Sequence, residues 1–83
     1  MYIAICDDLA EELNTITNIL DVWQKKNHTA LQYKTFRNAS DLLDAAEKEH
    51  FTLYLLDVMM PGINGIQAAQ EIRRFDETAD IIY

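Results

Sequence analysis

Short apolar runs alternate along this chain with stretches of helical periodicity. Tyr2-Ile3-Ala4-Ile5-Cys6 is an apolar run that stops abruptly at Asp7-Asp8, which predicts a buried first strand. From Leu9 the period changes: Leu9, Leu13, Ile16, Leu20 and Trp23 recur at steps of four and three, giving a helix with one apolar stripe and Trp23 in the core. Glu11, Glu12, Asn14, Asn18 and Asp21 fall off that stripe, Lys25-Lys26 suit the negative end of the helix dipole, and Asn27-His28 ends it. Leu31 to Phe36 mixes Tyr, Thr and Phe with Gln32 and Lys34, as an edge strand with one wet side does. Asn38 then caps a second helix, with Leu42, Leu43 and Ala46 inward and Asp41, Asp44, Glu47 and Lys48 in water.

The segment from Thr52 to Gly65 organises the rest. Residues 52–57 read as a central strand buried on both faces, with Asp57 at its carboxyl end. Pro61-Gly62 signals a turn, and Asn64 with Gln67 three residues later is the reciprocal pattern that opens a helix. That third helix runs from about Gly65 to Phe75, with Ile66, Ala69 and Ile72 inward and Arg73-Arg74 near its end. Asp80-Ile81-Ile82-Tyr83 begins a fourth strand. The order β-α-β-α-β-α-β with short connections implies right-handed crossovers and a mainly parallel sheet covered by helices on both sides.

Eighty-three residues, 49% apolar and 25% charged, make one small domain of marginal stability. A net charge of −7 argues against gripping a nucleic-acid backbone or an anionic membrane and favours a cation or a basic partner face. The apolar runs are far shorter than the roughly 20 residues of a spanning helix, and Met1 leads straight into a strand, so a cytoplasmic location is expected. Cys6 cannot form an internal disulfide and reads as a buried hydrophobe. His28 and His50 stand at element ends without acidic or cysteine company, and Arg73-Arg74 read as a helix end.

If the first and third strands run parallel, Asp7, Asp8 and Asp57 meet at one rim of the sheet, where ligands bind in open α/β folds. Three adjacent carboxylates repel one another unless a cation compensates them. Oxygen-only ligands select a hard ion and suit octahedral Mg²⁺ at roughly 2.0–2.1 Å, with Mn²⁺ as a substitute.

Asp7-Asp8 after the first strand, Asp57 after the third, and Met60-Pro61-Gly62-Ile63-Asn64-Gly65 beyond it resemble the receiver domain of two-component response regulators, and the likeness extends over the whole chain. The resemblance implies a flavodoxin-like, doubly wound parallel sheet in strand order 2-1-3-4, here an incomplete receiver over residues 1–83 that stops after the start of the fourth strand. It implies that Asp57 accepts a phosphoryl group from a sensor histidine kinase. Asp8 and Asp57 would ligate Mg²⁺ directly, the Met59 backbone carbonyl would add a third oxygen, and Asp7 would act through water. Such a domain is a self-phosphorylating acceptor rather than a turnover enzyme. The family's Ser or Thr after the fourth strand and Lys after the fifth have no counterpart here. The first strand and Ile81-Ile82-Tyr83 also resemble receivers joined to LytTR-type DNA-binding domains, which implies control of transcription by an effector outside this acidic segment.

Two other functions fit parts of the pattern. An aspartyl-nucleophile phosphatase of the haloacid-dehalogenase type carries a second Asp two residues after the nucleophile, where this chain has Met59. A receiver-like interaction module that never takes phosphate is the other; the intact acid trio argues against it, and the missing Ser or Thr and Lys positions argue for it. An apolar fourth strand at an open edge predicts self-association, through that edge or by exchange of an element between copies.

Overall fold

In a computed structural model describing residues 1–83, the alternation becomes β1 (Tyr2–Cys6), α1 (Ala10–Asn27), β2 (Gln32–Phe36), α2 (Ala39–Lys48), β3 (Leu53–Leu56), α3 (Gly65–Arg73) and β4 (Asp80–Ile82). All neighbouring strands pair parallel in the order β2-β1-β3-β4, with β2 and β4 at the edges. This is the parallel sheet that the periodicity implies, in the flavodoxin-like strand order that the resemblance implies. No helix is long and apolar enough to cross a membrane.

Local chemistry sets the helix boundaries. The Asn38 side-chain oxygen accepts from the Asp41 amide at 2.8 Å, so the first turn of α2 is capped. Asn64 and Gln67 form a full capping box: the Gln67 amide donates to Asn64 Oδ1 at 2.9 Å, and the Asn64 amide donates to Gln67 Oε1 at 3.0 Å. At the far end of α1, His28 adopts a left-handed backbone (φ 51°) and its amide donates to the Gln24 carbonyl, closing the last turn.

Alternation along β1 divides the core. Ala4 and Cys6 face α2 and α3 within a cluster of 13 buried residues that includes Leu42, Phe51, Tyr54, Leu56 and Ile72. Phe51 holds this layer together, packing on Tyr2, Phe36 and Tyr54 with ring centroids 4.5, 6.1 and 5.6 Å apart. Ile3 and Ile5 face α1, where only Leu13 joins them as a buried residue. One helix therefore covers that face thinly.

The thin face explains where the structure departs from the pattern. Leu53 and Leu55 are only half-buried on the α1 side, so β3 is not sealed on both faces. Trp23 is 45% exposed rather than in the core, because it flanks the α1 stripe instead of centring it; Leu9 precedes the helix and is also exposed. On α3 the inward positions are Ala68, Ala69 and Ile72, whereas Ile66 is exposed. That helix ends at Arg73, two residues short of Phe75.

Candidate functional site

The register of the sheet brings distant acids together. Cys6 is opposite Phe36 on one side and Leu56 on the other, so the residues that follow all three strands leave the sheet side by side. Two backbone bonds extend the ladder by one step: the Asp57 amide donates to the Cys6 carbonyl at 2.9 Å, and the Asp7 amide donates to the Phe36 carbonyl at 3.0 Å. Asp7, Asp8 and Asp57 thereby present carboxylate oxygens that all lie within 4.8 Å of one another.

Each flanking carboxylate is braced from one side. Asp7 Oδ1 accepts from the Leu9 amide at 3.0 Å, and Asp57 Oδ1 accepts from the Met59 amide at 3.0 Å. These bonds hold one oxygen and leave the other for chemistry. Asp7 is only 4% exposed, yet no Lys or Arg forms an ion pair with it. A carboxylate so buried needs a compensating positive charge.

Burial raises the Asp57 carboxyl above its ordinary value; the Met59 amide opposes that, and the neighbouring Asp7 and Asp8 add to it. Contact with the Asp7 carboxylate likewise raises Glu12, with Asp57 and Asp8 contributing at longer range. The Cys6 thiol is pushed up to about 12, first by burial and then by the three aspartates, so it stays a neutral SH against Met60 Sδ at 3.5 Å. Its side chain belongs to the core cluster under α2 and α3 and is not among the converging ligand atoms.

Asp7, Glu12 and Asp57 line a hollow of about 300 Å³ floored by Cys6, Leu55 and Leu56 and walled by Ile16, Ile82 and Tyr83. The largest hollow, about 750 Å³, lies at the opposite end among Glu47, Glu49, His50, Arg74 and Asp76, away from the trio. His28 closes α1, whereas His50, unlike the expectation, has an acidic neighbour in Asp76 at 3.7 Å at that opposite end; neither histidine approaches Asp7, Asp8 or Asp57.

Three residues at the rim escape a reading by periodicity. Glu12 looks like a solvated residue of α1, but the helix starts close enough to the sheet edge to turn it toward Asp7. Arg37 follows β2 and donates Nε–H and Nη2–H to the Asp8 carbonyl at 3.0 and 2.8 Å. Gly65 is the third: a Cβ there would lie 2.8 Å from the Asp57 carbonyl carbon and 3.1 Å from the Val58 Cα, so only glycine lets α3 start against the acid loop. Strand pairing creates the Arg37 contact, whereas the Glu12 and Gly65 contacts come from how the loops after β1 and β3 fold back into their helices.

Comparison with known proteins agrees with this geometry. The family model for the response regulator receiver domain matches residues 3–83. Protein PilH of Pseudomonas aeruginosa is 33% identical over 79 residues, 95% of this chain and 60% of PilH. The response regulator TrrA, solved in complex with the histidine kinase ThkA, superposes with a TM-score of 0.73 at 28% identity, covering 96% of this chain and 64% of that one. TrrA of Thermotoga maritima in complex with Mg²⁺-BeF gives a TM-score of 0.69 at 27% identity, with the same coverage of 96% and 64%. This chain thus spans less than two thirds of each relative. On sequence, fold and the position of its acidic rim, the chain belongs to the response regulator receiver domain family.

Proposed function

We propose that Asp57 accepts a phosphoryl group from a sensor histidine kinase with the help of Mg²⁺. The observation that carries this reading is the convergence of Asp7, Asp8 and Asp57 within 4.8 Å at the carboxyl edge of the sheet. The donor set fits the ion: three carboxylates with no imidazole or thiol among them select a hard divalent cation. Asp8 and Asp57 would ligate Mg²⁺, the Met59 carbonyl would supply a further oxygen, and Asp7 would hold a bound water; Mn²⁺ would substitute. Bound there, the ion would neutralise the phosphoryl oxygens and hold them in line.

The protein's own part is positioning. Oδ1 of Asp57 is held by the Met59 amide, which leaves Oδ2 to attack phosphorus. A P–O bond forms to Oδ2 as the P–N bond to the donor histidine breaks, and the electron pair returns to the imidazole. Complexes of the relative TrrA with a kinase and with Mg²⁺-BeF support the assignment of donor and ion.

In the whole protein this event would control an effector, with transcription as the output and DNA contacts made by a LytTR-type domain outside these residues. A cytoplasmic location accords with such a partner. The open β4 edge, with Ile82 58% and Tyr83 63% exposed, supports self-association of this segment. Sedimentation should show an oligomer that Ile82→Lys disperses; a monomer at all concentrations refutes that part.

Calorimetric titration with Mg²⁺ tests the site. One ion should bind, Asp8→Asn and Asp57→Asn should each weaken it at least tenfold, and tenfold excess over Kd should stabilise the fold by about 1.4 kcal/mol. Unchanged affinity in both variants rules the metal assignment out.

A further inference from the structure

The distribution of cationic side chains is lopsided. Of seven Lys and Arg residues, Lys25 and Lys26 close α1, Lys48 closes α2, and Arg73 and Arg74 end α3, all at the edge of the sheet opposite the aspartates. Lys34 is drawn to that same edge by Glu49 at 2.7 Å. Arg37 alone stands at the acidic rim.

Its placement follows from register. Phe36 is opposite Cys6 and Cys6 opposite Leu56, so Arg37, Asp7 and Asp57 leave three adjacent strands at one level. Two strand spacings, about 10 Å, separate the backbones of Arg37 and Asp57. An extended arginine and a phosphoryl group together span that distance.

An arginine beside three carboxylates would ordinarily clamp one of them in a two-pronged ion pair and fill the cation site. Here the guanidinium is diverted: Nε–H and one Nη2–H go to the Asp8 carbonyl, and Arg37 makes no ion pair. Of its five N–H donors, three stay without a protein partner on an exposed side chain. The capped start of α2, at Asn38 and Ala39, adds its positive dipole end beside them. The result is an unpaired fork for an anion, anchored at the Asp8 carbonyl on the same rim as the nucleophile.

We propose that Arg37 positions the phosphoryl group of the incoming donor for attack by Asp57. This rests on the phospho-acceptor reading above. The same contact would serve a phosphohistidine or a small acyl phosphate, since the recognised chemistry is the phosphoryl oxygens. With acetyl phosphate, a P–O bond forms to Asp57 as the P–O bond to the acyl group breaks, and acetate leaves with the electron pair.

The test uses acetyl phosphate with saturating Mg²⁺ and follows adduct formation at several donor concentrations and ionic strengths. Arg37→Ala should raise the half-saturating donor concentration roughly threefold or more, change the maximal rate less, and flatten the salt dependence; Arg37→Lys should recover part of the loss. Phosphoramidate, whose P–N bond models phosphohistidine, should give the same ratio if the phosphoryl oxygens are what is read. Beryllofluoride binding by calorimetry should weaken in parallel while Mg²⁺ affinity holds or rises, because a positive charge has been removed. If Mg²⁺ affinity falls with donor affinity, Arg37 acts only by holding Asp8 and the proposal is overturned. Equal donor affinity in wild type and Arg37→Ala overturns it alone; a wild type that never reacts overturns the acceptor reading with it.

Discussion

Replacing Gly65 by alanine is the sharpest structural perturbation of the rim, because it adds one carbon where α3 starts against the acid loop. The new Cβ would stand 2.8 Å from the Asp57 carbonyl carbon, while ordinary contacts begin near 3.4 Å. The Asp57 carbonyl oxygen lies closer still, so the backbone must yield by more than the roughly 0.6 Å gap between those values. Overpacking against main chain costs about 1–3 kcal/mol. Alanine's reduced freedom in the unfolded chain offsets about 0.4–1 kcal/mol of that. The net loss is about 1–2 kcal/mol, and a domain of this size shifts its Tm by roughly 4–8 °C for each. Urea denaturation followed by circular dichroism measures it, with Mg²⁺ titration on the same sample. Gly62→Ala is the control: its φ of 75° makes alanine strained, but no atom lies within 4 Å of the new carbon. Both variants should lose stability, and only Gly65→Ala should also lose Mg²⁺ affinity. If Gly65→Ala matches wild type in both, the contact does not constrain the site.

Other outcomes follow from the same geometry. The raised Asp57 carboxyl means the folded state keeps that proton to higher pH than the unfolded chain, so this group's contribution falls as pH rises above the ordinary value of 3.8. Asp57→Asn without Mg²⁺ should thus be more stable at neutral pH by a few tenths to about 1 kcal/mol, read as a rise in Tm. Asp76 has the opposite sign: the Thr78 amide holds it below its ordinary value, so its contribution is present above 3.8 and is lost as pH falls through the lowered value. Asp76→Asn should blunt acid unfolding. Asn64→Ala removes the capping box of α3 and should cost about 1 kcal/mol by chemical denaturation. Cys6, buried and with its thiol pushed up to about 12, should react with a thiol reagent only as fast as the protein opens; rapid labelling of folded protein contradicts that burial.

Most of the frame can be read along the chain because it rests on local signals. The apolar run before Asp7, the changed period after Leu9, the cap at Asn38 and the capping box at Asn64 each act within a few residues, and the elements form where those signals stand. The acid trio is legible one step further, since parallel pairing of β1 and β3 is enough to join Asp7 to Asp57. Exposure is less legible. Periodicity assigns Trp23 and Ile66 to the core, but it cannot tell how much of each helix the sheet covers, and α1 meets a sheet face with only two buried residues, Ile3 and Ile5. Arg37 depends on the pairing of strands far apart in sequence, and Glu12 and Gly65 on the path of the loops after β1 and β3, for which a polar residue or a glycine in isolation carries no signal.

In the proposed reading, three aspartates at the ends of two strands make Asp57 a phosphoryl acceptor. Intact-mass measurement after incubation with acetyl phosphate and Mg²⁺, with peptide mapping of the product, tests it most directly. A single phosphoryl adduct on Asp57 is expected, dependent on Mg²⁺ and absent from Asp57→Asn and Asp8→Asn. An unmodified protein, or an adduct at any other residue, would contradict it.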